Sequence, residues 1–178
     1  MTSYATPAPV PAESVINSHL PGASFYDCYS IGASGERRTA LEYFLAAIAQ
    51  TPMWVERFML LRNKVVRLFG LKDLGGLGEF DTSKPASAYL PGDRVGIFTL
   101  ISSADNEVLL GDSDKHLDVV LAVFRHPHVT EGVQTISLTT VVHVHNWLGR
   151  LYMLPVKPMH KFIAPAVLNR IAAATPTR

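Results

Sequence analysis

The stretch Thr135-Ile-Ser-Leu-Thr-Thr-Val-Val-His-Val-His145, continued by Asn-Trp-Leu-Gly-Arg150, contains two successive patterns. Its β-branched residues favour an extended strand. Beyond Arg150 the apolar residues recur at helical spacing as far as Ile171. A last strand that leads directly into a terminal helix predicts that this helix packs back onto its own sheet.

The terminal segment carries three prolines, Pro155, Pro158 and Pro165. A proline inside a helix costs about 3 kcal/mol, because it removes a hydrogen bond and clashes one turn back. We therefore expect a kink or a break near residues 154–158 and a helix over 156–174. Six residues form its predicted buried face: Met159, Phe162, Ile163, Ala166, Val167 and Ile171.

Two further helices are predicted upstream, over residues 38–50 and 52–69. The first has an apolar face at helical spacing, Leu41, Phe44, Leu45 and Ile48. In the second helix, Thr51 is predicted to be the N-cap and Pro52 to lie in the first turn. Gly70 is predicted to end the helix. Its predicted apolar stripe is Trp54, Phe58, Leu61, Val65 and Leu68.

Strand patterns flank these two helices. The first covers residues 24–30, and four more follow a long connection at 71–93 that is rich in glycine and proline. These four, at 94–103, 107–111, 116–125 and 133–145, are separated by short polar turns, which favour an antiparallel meander. The predicted fold is α+β: a curved antiparallel sheet wrapped around a long C-terminal helix, with two helices between strand 1 and the remaining strands. Residues 1–22 form a proline-rich arm, and 23–178 a single domain.

Composition excludes several classes of protein. The 178 residues are 48% hydrophobic, and the formal net charge of +1 is far from the basic field that binds nucleic acid. The single cysteine, Cys28, cannot form an intramolecular disulfide and fits a reducing compartment. No run of about 18 apolar residues predicts a membrane span. We expect a cytoplasmic protein; whether it forms a homodimer is left open.

Several short blocks occur in a recognisable order: Trp54-Val with Leu61-Arg62-Asn63, Leu109-Leu-Gly-Asp with Asp114-Lys-His-Leu-Asp118, Thr139-Thr-Val-Val-His143 with His145-Asn-Trp-Leu-Gly-Arg-Leu-Tyr152, and Pro158-Met-His160. They resemble the uncharacterised family called domain of unknown function 2867. The order of elements also resembles the helix-grip fold of the START-like (SRPBCC) superfamily, which includes polyketide cyclase-like and lipid-binding proteins. The superfamily resemblance implies a cavity between the sheet and the terminal helix. The family resemblance implies no particular reaction.

His143 and His145 form a His-x-His pattern on the last predicted strand, so their side chains share one face. That spacing suits a metal ion, but no third ligand is evident in the sequence. Leu138, Val142 and Val144 make the opposite face the better core face. The two histidines are therefore predicted to point away from the core, and no metal site is expected.

Four polar residues alternate along the chain: Asp112, Asp114, His116 and Asp118. On an unbroken strand their side chains would point to the same face and form one stripe. The turn-like composition of residues 112–115 argues against such a strand. His116 and Asp118 then remain as a pair that could orient a general base or serve as a polar tie. A triad hydrolase is not supported, because the chain has no Gly-x-Ser-x-Gly motif. The residues around Cys28 also do not match a known motif of a nucleophilic cysteine.

A last group of polar residues lies where the final strand becomes the helix. Helix N-termini attract anions, so Arg150 or the helix start near Asn146 could hold a carboxylate. The alternative is that Asn146 caps the helix and Arg150 lies at the surface. The predicted ligand-binding residues are Asn146, Trp147, Arg150 and Tyr152.

Three functions remain open. The first is a module that binds a small apolar or amphipathic molecule in the cavity. The second is an enzyme of cyclase, dehydratase or hydrolase type that uses His116, Asp118 or His160 with Arg150. The third is an interaction or structural domain whose cavity is filled. No cofactor is expected; a dinucleotide in particular is not, because the chain lacks the Gly-x-Gly-x-x-Gly fingerprint.

Overall fold

The strand and helix predicted at the end of the chain are both present in the structure, a computed structural model that describes residues 4–34, 37–68 and 83–173. Strand β7 covers Val133–Val144 and leads, after two residues, into helix α3, Trp147–Ala173. Side chains are described up to residue 60 in the second range and residue 171 in the third. The predicted contacts of Leu61, Val65 and Leu68, the helix end at Gly70 and most of the connection at 71–93 lie outside the described parts.

Seven strands of the described residues form one antiparallel sheet, in the order β1-β2-β7-β6-β5-β4-β3. Their bounds are β1 Thr6–Pro7, β2 Phe25–Ser34, β3 Arg94–Val95, β4 Phe98–Ser103, β5 Glu107–Ser113, β6 Leu117–Thr130 and β7. Each strand from β3 to β7 pairs with the next along the chain. The predicted meander and the α+β fold class are thereby confirmed, and β2 pairs with β7.

Helices α1, Ala40–Ala49, and α2, Met53–Leu68, lie between β2 and β3 in the chain, as predicted. Thr39 and Glu42 form a reciprocal capping box that satisfies free N–H groups at the start of α1. The predicted stripe of α2 is wrong at its first position. Trp54 is exposed, whereas Val55 and Met59, four residues apart, are buried.

Helix α3 continues through all three prolines, so the break near residues 154–158, one of the two predicted alternatives, is wrong. The backbone carbonyls that Pro155, Pro158 and Pro165 leave unpaired belong to residues 151, 154 and 161, which are all exposed. Water can bond these carbonyls, while the opposite side of the helix keeps its hydrogen bonds and packs on β2, β7 and α1.

The predicted buried face of α3 is right at Val167 and Ile171, which are buried together with Ala164 and Leu168. It is wrong at Phe162, which is 66% exposed. At about 100° per residue, Phe162 lies roughly opposite Ala164 around the helix. The sequence interpretation grouped Phe162 with Ile163 because both are large and apolar; Ile163 packs against the core, but Phe162 was assigned to the wrong face.

The main core joins the inner face of the sheet to the three helices. The outer face is covered by the N-terminal segment, where Ile16 in a short 3₁₀ helix, Val15–His19, is completely buried against Leu109, Val120 and Val141. The Ser14 hydroxyl donates to the buried Glu107 carboxylate on β5. No helix of the described residues is long and apolar enough to cross a membrane.

Candidate functional site

A cavity of about 180 Å³ lies between the inner face of the sheet and the helices. Most of its wall is apolar, with contributions from Phe44 on α1, Phe98 and Leu121 on the sheet, and Val167 and Leu168 on α3. The sheet and α3 therefore leave an unfilled cavity between them, which is the feature that the superfamily resemblance implied. Polar side chains interrupt this wall at two places, one near the middle of α3 and one near its start.

The first polar place is centred on His160 of α3, one of the predicted candidates. Its Nδ1 lies 2.9 Å from Oδ2 of Asp27 on β2, and its Nε2 lies 3.4 Å from Oγ1 of Thr140 on β7. The strand register sets this arrangement, because Asp27 and Thr140 are direct partners across β2 and β7. All three side chains therefore lie between the sheet and α3.

The Asp27 carboxylate fixes the orientation of the His160 ring. With the carboxylate accepting from Nδ1–H, Nε2 becomes the acceptor of the ring, and the His160 side chain lines the cavity. The side chains of His160 and Asp27 are only 21% and 16% exposed, and Asp27 Oδ1 is buried without a hydrogen-bond partner among the described residues. An oriented imidazole that borders an apolar cavity can bind a hydroxyl group or transfer a proton.

Sequence reasoning missed Asp27. On β2, Phe25 and Tyr29 also face inward, so Asp27 is a charged residue in an otherwise apolar inner row. Its place among the inward-facing residues of the strand was the only local feature of the sequence that could have identified Asp27. Its partner His160 is 133 residues away in the chain, and no short motif connects the two.

The second polar place is near the start of α3, where Asp112, Asp114, His116 and Tyr152 line the cavity. Oδ1 of Asp114 accepts from the backbone N–H groups of residues 116 and 117 and so shapes the turn between β5 and β6. This turn leaves Asp112, Asp114 and His116 on the cavity side. The predicted turn is present, but it does not move these three residues to different faces of the sheet.

The structure separates the predicted pair of His116 and Asp118. Asp118 pairs across the strands with Ser113, which points to the outer face, and it accepts hydrogen bonds from Ser113 Oγ and from His145 Nε2 at 2.9 Å. Burial of Asp118 acts to raise its pKa, but these hydrogen bonds, together with the charge interactions with His145 and His143, outweigh burial and lower the pKa. Asp118 thus has a structural role on the outer face, away from the cavity.

His143 also points to the outer face, as predicted. Its Nε2 lies 2.8 Å from the backbone carbonyl oxygen of His19, so the ring ties β7 to the N-terminal segment. Within the described ranges no group of three or more His, Cys, Asp or Glu side chains could hold a metal ion. Cys28 is buried, and burial raises the pKa of its thiol, which disfavours the nucleophilic thiolate.

The four predicted ligand-binding residues occupy different surroundings. Tyr152 lines the cavity, whereas Trp147 and Arg150 are exposed and do not border it. Asn146 caps α3: its Oδ1 accepts from the backbone N–H groups of residues 148 and 149, both at 3.1 Å. Its side chain also lies 3.0 Å from Nδ1 of His116. Asn146 therefore uses N–H groups that would otherwise be available to an anion.

Comparison with known proteins gives a family. The family model described as "Protein of unknown function (DUF2867)" matches residues 19–167, which is most of the chain. No curated protein and no solved structure was found to match. The match covers the sheet from β2 to β7, helices α1 and α2, and most of α3. The chain therefore belongs to the DUF2867 family.

Proposed function

We propose that the protein is a START-like, helix-grip module that binds a small and largely apolar molecule carrying one hydroxyl group. The observation that carries the proposal is the apolar cavity of about 180 Å³ with the oriented His160 imidazole in its wall. Pockets for drug-sized ligands have volumes of about 300–1,000 Å³. An apolar cavity of about 150 Å³ holds benzene. The size therefore suits a ligand with a single ring.

The charges around the cavity favour a neutral polar group over an anionic head. Asp114 lines the cavity and would repel an anion, whereas the charge of Asp112, which also lines it, is partly balanced by Arg94 Nη1 at 3.6 Å. Arg150 is exposed and outside the cavity. The Nε2 atom of His160 is an acceptor when the Nδ1–H group of the neutral ring donates a hydrogen bond to the Asp27 carboxylate. A ligand hydroxyl can donate to that nitrogen in place of the long 3.4 Å contact with Thr140 Oγ1, whereas a carboxylate cannot.

A calorimetric titration that compares p-cresol with toluene tests this proposal. We expect p-cresol to bind more tightly. The double variant His160→Leu/Asp27→Asn removes the acceptor without leaving a charged carboxylate unpaired. A net hydrogen bond is worth about 0.5–1.5 kcal/mol, so p-cresol affinity should fall about 2- to 12-fold while toluene affinity is retained. The control His128→Gln alters an exposed histidine outside the cavity and should change neither affinity. Absence of binding to the wild type, or equal losses for both ligands, would contradict the proposal.

A second candidate function is acid–base catalysis, and the Asp27–His160 hydrogen bond of 2.9 Å favours it. A carboxylate that orients an imidazole raises its effectiveness as a general base. The test uses acetophenone, a ketone with one ring, whose methyl protons exchange with deuterium through an enol. An enzyme of this kind should accelerate that exchange, as followed by NMR. His160→Gln should abolish the acceleration, and His128→Gln should preserve it. Exchange at the buffer rate with the wild type would exclude this activity for that substrate class.

A further inference from the structure

Helix α3 has a second apolar face, opposite the one that borders the cavity. We call it the outer stripe; its residues are Trp147, Leu151, Leu154, Pro158 and Phe162, and all are exposed. Their spacings of three and four residues keep them on one side of the helix. Trp147 and Leu154 are 72% and 69% exposed. The stripe spans about 22 Å of helix, and large apolar residues in such an arrangement mark an interaction surface.

A row of basic residues runs along one edge of the outer stripe. Arg150, Lys157 and Lys161 are exposed and lie seven and four residues apart, again on one side of the helix. The 27 residues of α3 include no Asp or Glu at all. The outer side of this helix therefore combines apolar bulk with positive charge, although the net charge of the whole chain is only +1.

We propose that the outer stripe binds the surface of an anionic lipid membrane. Tryptophan, leucine and phenylalanine on one helix face, bordered by lysine and arginine, are the features of helices that lie in the membrane–water interface. The apolar side chains enter the boundary between headgroups and acyl chains, and the basic row contacts anionic headgroups. The helix lies on the membrane and does not cross it.

The charge pattern favours a lipid surface over a second copy of the chain. In a two-fold antiparallel pairing of α3 helices, the same edge of each helix meets its equivalent. The row of Arg150, Lys157 and Lys161 would then face an identical basic row, with no carboxylate on either helix to compensate. An anionic bilayer presents the complementary charge along the whole row.

Co-sedimentation with lipid vesicles tests the apolar part of the proposal. The full chain should bind vesicles of phosphatidylcholine containing 30% phosphatidylglycerol and remain in the supernatant with phosphatidylcholine alone. Leu154→Asp/Phe162→Asp should abolish binding, and both sites are exposed, so the fold should be retained. The matched control is Leu90→Asp/Val129→Asp, which alters two exposed apolar residues outside α3 and should bind like the wild type.

The basic row is tested separately. One positive charge near an anionic surface changes the partition coefficient about fivefold, so Lys157→Gln/Lys161→Gln should weaken binding by about 30-fold. Lys115→Gln/Arg57→Gln removes the same net charge at exposed positions outside α3 and should have a much smaller effect. In a Trp54→Phe background Trp147 is the sole tryptophan, and its emission should shift to the blue on anionic vesicles.

Three outcomes would overturn the proposal. One is a wild-type protein that stays in the supernatant with the anionic vesicles. Another is the Leu154→Asp/Phe162→Asp variant binding them as well as the wild type. The third is a dimer, detected by analytical ultracentrifugation, that this variant abolishes while no form of the protein binds vesicles; the stripe would then be an interface between copies.

Discussion

Replacing Leu168 with alanine tests the assigned orientation of α3. Leu168 is 1% exposed and belongs to the main core. Leu→Ala removes three buried carbon groups, worth about 2.4 kcal/mol in transfer free energy. Incomplete relaxation of the space left behind adds a cavity term, so we expect the free energy of unfolding to fall by about 3–5 kcal/mol. Urea denaturation followed by circular dichroism measures this difference.

Phe162→Ala is the matched control, because the larger side chain lies on the same helix but is 66% exposed. Its substitution should change the free energy of unfolding by no more than about 0.5 kcal/mol. The sequence interpretation predicted the reverse, a cost of about 3–5 kcal/mol at Phe162. A large loss at Phe162 together with a loss below about 1 kcal/mol at Leu168 would refute the orientation described above.

Two further predictions concern stability. Gly149→Ala should lower the melting temperature, because the added methyl group would overlap the backbone carbonyl oxygen of His116. This loss should exceed the preference of helices for alanine over glycine, which is about 1 kcal/mol. An unchanged or higher melting temperature would show that this close approach is wrong. Burial lowers the pKa of His126, so the unfolded chain binds its proton at a higher pH than the folded one. The stabilisation that His126 contributes is complete above about pH 6.5 and is lost as the pH falls towards its lower folded pKa; His126→Asn should reduce the slope of unfolding free energy against pH in that window, and an identical slope would contradict the assignment.

The strands and helices could be predicted because their periodicities are local. Alternation and short polar turns marked the meander, and the residues at 135–150 marked the last strand and the helix that follows it. The orientation of α3 could not be predicted in the same way, because both of its sides are apolar. Local hydrophobicity does not distinguish Phe162 from Ile163; only the packing of the helix on the sheet does.

The candidate site was predictable in part. His116, His160 and Tyr152 were identified and do border the cavity. Asp27 was missed because its pairing with His160 depends on the β2–β7 register, which no local pattern specifies. His116 and Asp118 were paired by parity, but the register sets Asp118 against the outward Ser113 and Asp112 against the inward Val119. One residue of register therefore decides which face each carboxylate occupies.

Methyl NMR of the protein titrated with toluene tests most directly whether the cavity takes a ligand. The apolar wall predicts chemical-shift changes at the methyl groups of Leu121, Val167 and Leu168, which line the cavity. The methyl groups of Leu90 and Val129, which are exposed and do not belong to that lining, should not shift. Saturable shifts confined to the first set would establish an occupied cavity. Spectra that do not change with toluene, or that change equally at both sets, would contradict a ligand-binding cavity beneath α3.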